Sequence, residues 1–349
     1  MRGDVLDLQP IVGRAELHAA LEACLRQYFG REVMIGKLDR RISEYCSSFL
    51  IEELDVTLDD GTELALVFKD LSDAALLEGA GRVKPRFFND PMREIETYRR
   101  VLTLHQLGTA KCYGAVVEPE RRRFWLFIER VPPVLLWQMG EFARWEDVAR
   151  WLAGMHAYLV RGTEVLESEH LAHLLRHDRG FHWQWMRRAV AFVCAGDTSA
   201  KQQAATAVRW LAERFERAVE RLVALPVTVI HGEFFPSNVM IDESGGRLRI
   251  CPVDWEMAAV GPGLVDLAGL TSGGWTRKEK DAMALAYHEA LPDGSPAKTD
   301  WQSFLEDLEY CRFAQAVQWL GWSPMWSPPS EHAQNWLKEA VASAEILRL

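Results

Sequence analysis

The dominant spacing of this chain's apolar residues changes at the paired prolines of Val131-Pro132-Pro133. Before them, apolar residues come in short runs broken by turns; after them, they recur mostly every three or four positions. Strands have period 2 and helices 3.6, so the chain is expected to be α+β, strand-rich first and mainly helical afterwards. Proline cannot donate to a β-ladder, so the doublet cannot continue a central strand and is the expected boundary. It divides the chain into residues 1–130 and 131–349. A length of 349 residues suits two units at roughly 150 residues per domain.

In the first part, Leu17, Leu21, Cys24, Leu25 and Tyr28 have helical spacing and Gly30 follows as a stop signal. The runs Phe49–Ile51, Leu54–Leu58 and Leu64–Lys69 read as strands, with Asp59-Asp60-Gly61 as a hairpin turn. Asp90 and Pro91 open a helix through Glu94, Ile95, Tyr98, Val101 and Leu102. Two further strands are expected at Tyr113–Val117 and Arg123–Ile128. In the second part, Trp145–Leu159 and Val208–Leu222 carry helical stripes. A single strand region, Val227–Asp254, is expected to interrupt those helices.

The net charge is −10 and argues against a phosphate-backbone binder held by bulk charge, so nucleic acid is not an expected partner. Six cysteines, Cys24, Cys46, Cys112, Cys194, Cys251 and Cys311, are scattered without a CxxC pair, which points to neither a zinc framework nor a disulfide scaffold. Acids stand in the first seven residues where a signal peptide has its apolar core, and no apolar stretch approaches ~18 residues. A cytoplasmic protein with no membrane partner is the expectation.

The strand region holds the chemistry. Val227–Ile230 leads into His231-Gly232-Glu233-Phe234-Phe235-Pro236-Ser237-Asn238, and the runs on either side of Ser244-Gly245-Gly246 should pair as a hairpin. That hairpin would bring Asn238 beside Asp254. With Glu233 on the entering loop, these residues form a cluster of hard oxygen donors. Such a cluster suits Mg²⁺, which takes one or two carboxylates and completes its shell with water and substrate phosphates.

His-Gly-Glu-x4-Asn, followed by Asp254-Trp255-Glu256 and Gly263-Leu264-Val265-Asp266-Leu267-Ala268, resembles the aminoglycoside phosphotransferase and choline kinase-like family. Lys69 after an apolar strand, Glu94 in the next helix and Leu152-Ala153-Gly154-Met155-His156 extend the resemblance over roughly residues 40 to 275 in order. The family's usual loop has Asp where this chain has Glu233. The resemblance implies a bilobal protein-kinase-like fold, with a small β-rich nucleotide-binding lobe and a larger, mainly helical lobe for catalysis and the acceptor.

By that resemblance Lys69 would pair with the α- and β-phosphates of ATP or GTP and be held by Glu94, with Glu96 as the competing partner. Glu233 would accept the proton of the acceptor hydroxyl, and Asn238 and Asp254 would hold Mg²⁺. Backbone groups of Ile128 to Val131, including Glu129 and Val131, would meet the base. No GxGxxG occurs, and the loop Glu44–Ser48 would offer backbone N–H groups and the hydroxyls of Ser47 and Ser48 to the phosphates. The implied activity is γ-phosphoryl transfer to a hydroxyl of a small polar acceptor, led by sugar- or amino-sugar-containing compounds, antibiotics among them. A choline-like or other metabolite kinase, and a nucleotide-binding pseudokinase in which Glu233 marks a lost base, are the alternatives.

Plainer roles compete at each position. Lys69 could be a strand-end lysine and Glu94 a helix-dipole partner. His231 reads as a loop-bracing residue, His156 as core, and Asp266 as the anchor of the following helix. The tryptophans crowded at the end, Trp301, Trp319, Trp322, Trp326 and Trp336, read first as helix packing and second as a substrate pocket. Acids Glu306, Asp307, Glu309 and Glu331 could attract an amine or simply face solvent.

Overall fold

A computed structural model describes residues 9–46, 48–105, 107–132, 134–160, 171–195, 199–322 and 334–349. The early expectations for Ser47, Pro133, Trp326 and Glu331, and for the first seven residues, lie outside the described residues. The chain divides into two units: Met1–Lys84, Asn89–Pro133 and Asp242–Glu256 in the first, and Pro85–Phe88, Val134–Ile241 and Met257–Leu349 in the second. The break after Pro133 lies close to the expected boundary. Unlike the continuous 1–130 and 131–349 division, however, the Asp242–Glu256 stretch groups with the N-terminal unit.

In the first unit, α1 (Arg14–Phe29) precedes β1 (Ile35–Ile42), β2 (Ile51–Leu58) and β3 (Glu63–Asp70). A short α2 (Glu78–Val83) and α3 (Pro91–Glu96) come next, and β4 (Cys112–Glu118) and β5 (Arg123–Glu129) complete an antiparallel sheet of order β1-β2-β3-β5-β4. β2 alternates regularly between half-buried and buried positions, the pattern of a strand with one face on a core. Leu17, Leu21, Cys24 and Leu25 of α1 pack with Leu54, Val56, Leu66, Phe68 and Phe127 of the sheet in one apolar cluster. Gly114 makes the close approach possible, because a Cβ there would lie 2.6 Å from the Cys24 Cβ.

Two departures from the sequence reading occur here. β1 was not expected, and the reason is visible: a register shift between Ile35 and Lys37 leaves only Ile35 and Leu38 buried, so the period of two is lost. The helix from Pro91 is also irregular. It is capped as expected, Asp90 accepting from the Met92 amide at 2.9 Å, but it widens to a π-turn over Thr97–Leu102. The Thr103 hydroxyl donates to the Tyr98 carbonyl five residues back at 2.7 Å, which matches the wider turn.

The second unit is built on helices: α4 (Phe142–Val160), α5 (Arg179–Val193), α6 (Ser199–Ala224), α7 (Leu264–Leu270), α8 (Arg277–Ala290), α9 (Trp301–Leu320) and α10 (Trp336–Ile346). A small sheet lies among them, with β10 (Ala259–Pro262) between β6 (Leu175–Arg176) and β7 (Val227–Ile230). The sequence reading missed β6 and β10. β6 is two residues long, and all four residues of β10 are buried, so neither alternates. The expected hairpin is present as a two-stranded sheet of β8 (Val239–Asp242) and β9 (Arg249–Pro252). Among the described residues no helix is long and apolar enough to cross a membrane, and all six cysteines are free.

Candidate active site

The first unit brings together three of the residues singled out above. Lys69 sits near the end of central strand β3, opposite Ile51 of β2 and Leu126 of β5. Its Nζ donates to Glu94 Oε1 at 2.7 Å and to Asp254 Oδ1 at 3.1 Å. Lys69 is 6% exposed and Glu94 2%, so this is a buried ion pair and not a surface one. Burial alone would lower the lysine pKa, but Asp254 and Glu94 outweigh it and raise Lys69 above its ordinary value. Burial pushes Glu94 upward, against the pull of Lys69. Glu96 does not compete for Lys69, because it pairs with Arg99 at 3.1 Å and with Arg100.

Asp254 is held in an unusual backbone state. Its φ of 67° is left-handed, a region where Asn and Asp are among the few side chains commonly found. The next amide, of Trp255, donates to Glu94 Oε1 at 3.3 Å, and the Trp255 indole donates to the Pro252 carbonyl at 3.1 Å. The turn carrying Asp254 is thus tied both to α3 and to its own strand.

Beside it is a second buried pair that sequence reasoning missed. Lys84 Nζ donates to Glu256 Oε2, and the same ammonium lies 4.6 Å from the centre of the Phe49 ring. Arg93 donates to the Glu256 carbonyl at 2.8 Å. Burial and then Asp254 push the Glu256 carboxyl upward. The available signals were the basic stretch before Pro85 and an acid two residues after Asp254; neither identifies a partner 172 residues away.

Other first-unit candidates are engaged structurally. The Glu129 carboxylate takes a two-pronged grip from Arg249, at 2.7 Å to each oxygen, and accepts from the Lys111 amide at 3.0 Å. Burial raises its pKa, but Arg249 outweighs this and keeps it lowered. The Glu129 and Arg130 amides bond to the carbonyls of Lys111 and Ala65, which leaves Val131 as the residue of this stretch that follows the strand. Ser48 is half-buried, and its carbonyl accepts from the Leu77 amide at 3.0 Å.

In the second unit the His231–Asn238 loop is fixed from beneath by Asp266, which is fully buried. One carboxylate oxygen of Asp266 accepts from the His231 amide at 2.7 Å and the other from the Gly232 amide at 2.8 Å. His156 bridges Asp266 and the Tyr287 hydroxyl at 3.2 and 2.8 Å, so His156 and Asp266 brace the loop. Gly232 is required at its place. Its φ is 85°, and a Cβ there would lie 2.2 Å from the Met257 carbonyl oxygen.

Beyond that glycine the loop closes on itself. The Glu233 amide donates to the His231 ring at 3.3 Å, and the Glu233 carbonyl accepts from the Phe235 amide at 2.7 Å and from Asn238 Nδ2 at 3.0 Å. With its amide nitrogen so engaged, Asn238 has Oδ1 to offer a ligand. Phe234 is buried and stacks on Trp151, whereas Phe235 turns towards Trp319 with ring centres 5.5 Å apart. Asp307 and Glu309 are engaged by Arg221 and Arg312, which removes two of the acids that could have attracted an amine.

An antiparallel five-stranded sheet carrying a buried Lys–Glu pair, with a helical region after it, defines a protein-kinase-like fold. Solved structures share it: a microcompartment-associated aminopropanol kinase at 12% identity and TM-score 0.57, covering 89% of this chain and 92% of that one; a Plasmodium vivax ethanolamine kinase at 10% and 0.51, covering 99% and 92%; and the GDP complex of an aminoglycoside 2′-phosphotransferase at 12% and 0.52, covering 95% and 97%. Residues 82–302 match the model of the phosphotransferase enzyme family, and the chain belongs to that family. It is an enzyme that transfers phosphoryl groups to hydroxyls. No curated protein sequence matches it.

Proposed function

We propose that the enzyme is a small-molecule kinase that moves the γ-phosphoryl group of ATP or GTP to a hydroxyl of a sugar-containing acceptor. The observation that carries this reading is the buried Lys69 ammonium held between Glu94 and Asp254. A lysine buried between two fixed acids is a positioned point charge of the kind that a polyanion such as a nucleotide's phosphates can engage. Lys69 binds the α- and β-phosphates, Glu94 holds its ammonium in position, and Val131 meets the base through its backbone. Ser48 belongs to the loop over the phosphates.

The donors fit magnesium. Asp254, whose side chain is 31% exposed, would offer a carboxylate, and Asn238, whose Nδ2 is already engaged, would offer Oδ1. Among the described residues no three His, Cys, Asp or Glu side chains form a metal-binding group. When bound, magnesium neutralises charge on the transferring phosphates. Glu233 orients the acceptor hydroxyl and takes its proton as the new O–P bond forms and the bond to the nucleoside diphosphate breaks. The fixed carbonyl of Glu233 and the Asp266 brace hold that carboxylate's backbone in place.

Transfer of labelled γ-phosphate from ATP and from GTP to a sugar panel, in wild type and Lys69→Met, tests the reading. Lys69→Met should weaken nucleotide affinity and turnover together, each by about 10-fold or more, since a point charge on the phosphates acts in both ground and transition states. Unchanged affinity and rate would return Lys69 to a structural role. Tight nucleotide binding without transfer to any acceptor would favour the pseudokinase instead.

A further inference from the structure

The first unit holds a second buried lysine, and the carboxylate that it meets stands two residues beyond Asp254. Lys84, which follows α2, is 9% exposed, and the Glu256 side chain is 13% exposed. All the residues concerned belong to the first unit. We propose that Lys84 is a positioning residue for phosphoryl transfer: it retains the Glu256 carboxylate, so that Lys69 and Asp254 are left to the nucleotide's phosphates and magnesium ion. The proposal rests on the kinase reading of Lys69 and Asp254 and adds a residue to it.

The balance of charge gives Lys84 that task. Glu94, Asp254 and Glu256 are all carboxylates, and Lys69 is already shared by the first two, at 2.7 and 3.1 Å. Glu256 is within electrostatic reach of Asp254 and Lys69 as well as of Lys84. Without a cation of its own it would compete for the Lys69 ammonium, or for a divalent ion at Asp254, because opposite charges in a partly buried site attract far more strongly than in water. The Lys84 ammonium satisfies Glu256 instead. That ammonium is itself anchored 4.6 Å from the centre of the Phe49 ring, whose face favours a cation. Phe49 follows the Glu44–Ser48 loop and bridges to Leu76 ahead of α2. On either side, the Leu50 and Leu77 amides donate to the carbonyls of Ala75 and Ser48 at 3.1 and 3.0 Å.

The main chain at Glu256 is fixed separately from its side chain. Arg93 of α3 donates to the Glu256 carbonyl at 2.8 Å, while the next residue of α3, Glu94, accepts from the Trp255 amide at 3.3 Å. α3 thus grips the turn after Asp254 at two successive residues, and the same Glu94 oxygen holds Lys69. With the main chain held, Lys84 determines where the Glu256 carboxylate lies. A pair that merely stapled the fold would behave differently. It would contribute to stability and leave the folded protein's affinity for phosphates untouched.

The full-length protein should be titrated by calorimetry with the magnesium complexes of AMP-PNP and GMP-PNP, and with adenosine and guanosine. Lys84→Met should weaken binding of the better triphosphate analogue by about 10-fold, while nucleoside affinity stays within about twofold. Adding Glu256→Gln to Lys84→Met removes the carboxylate left without its cation and should restore triphosphate affinity to within about threefold of wild type. Glu256→Gln alone keeps an acceptor for Lys84, so it should fold normally and bind the triphosphate at least as tightly as wild type, a negative charge having left the site. Unchanged triphosphate affinity in Lys84→Met would overturn the proposal and make the pair a staple of the fold. A double variant as weak as Lys84→Met would overturn it too, by putting Lys84 on the phosphates themselves. So would a loss of about 10-fold in Glu256→Gln alone, which would make Glu256 a ligand. If Lys84→Met does not fold by circular dichroism, Glu256→Gln alone decides. Lys69→Met separates the two readings: if it loses affinity and Lys84→Met does not, only the role of Lys84 falls, whereas if Lys69→Met loses none, both fall.

Discussion

The Lys69 cluster of the first unit and the pocket beside the Glu233 loop of the second handle polarity in opposite ways. In the first, buried lysines meet fixed carboxylates, Lys69 with buried Glu94 and partly exposed Asp254, and Lys84 with Glu256. In the second, the pocket beside the Glu233 loop is lined without formal charge, and its buried histidines are kept neutral. Buried charge is tolerated where a countercharge or fixed hydrogen-bond donors meet it. A site furnished with such pairs can receive a charged ligand by exchanging partners.

The sharpest way to break that contrast is to remove charge from the first unit at one point. Asp254→Asn keeps both size and tolerance of the left-handed backbone, so the fold should survive and phosphoryl transfer should fall by about 10³-fold or more. Retention of half the wild-type turnover, with the same circular dichroism spectrum, would remove Asp254 from the machinery. Glu233→Gln is next. It preserves shape but not proton acceptance, and turnover should drop by about 10²-fold with little change in nucleotide affinity. Glu233→Asp should be impaired less than Gln, as a carboxylate misplaced by about one methylene still accepts a proton.

A smaller effect is expected from Gly232→Ala, which tests whether the brace of the second unit matters. A Cβ 2.2 Å from the Met257 oxygen forces the loop to move, and strain of about 1–3 kcal/mol should appear in denaturant unfolding together with a loss of turnover. Normal stability and activity would show that the loop is not held as described. Smallest is Glu129→Gln. Because Arg249 keeps the Glu129 pKa lowered in the fold, its contribution is present above the ordinary carboxylate range and lost as pH falls through the folded value. Wild type should therefore exceed the variant by about 1 kcal/mol at neutral pH, with the gap closing under acid conditions. A gap independent of pH would assign the effect to packing.

Much of the second unit's loop was legible because its groups are neighbours along the chain. His231, Gly232, Glu233 and Asn238 lie within eight residues, and the turn chemistry that binds them is local. Asp266 was readable as an anchor, although its grip on two amides of that loop was not. The strands with one apolar face were also legible. β1, β6 and β10 were not, because a bulge, a length of two residues and complete burial each erase alternation.

The amino-acid order by itself determined the strand-to-helix change after β5 and the hairpin around Ser244-Gly245-Gly246, since period and turn chemistry are properties of short segments. Only the tertiary structure decided partners. That Lys69 takes Glu94 and not Glu96, that Lys84 meets Glu256, and that His177 and His182 line one slot with Gln315 and Gln318 depend on which faces meet across long separations. A helix or strand pattern specifies a face, but not the element that covers it, and charge pairing and pocket polarity are set by that second surface.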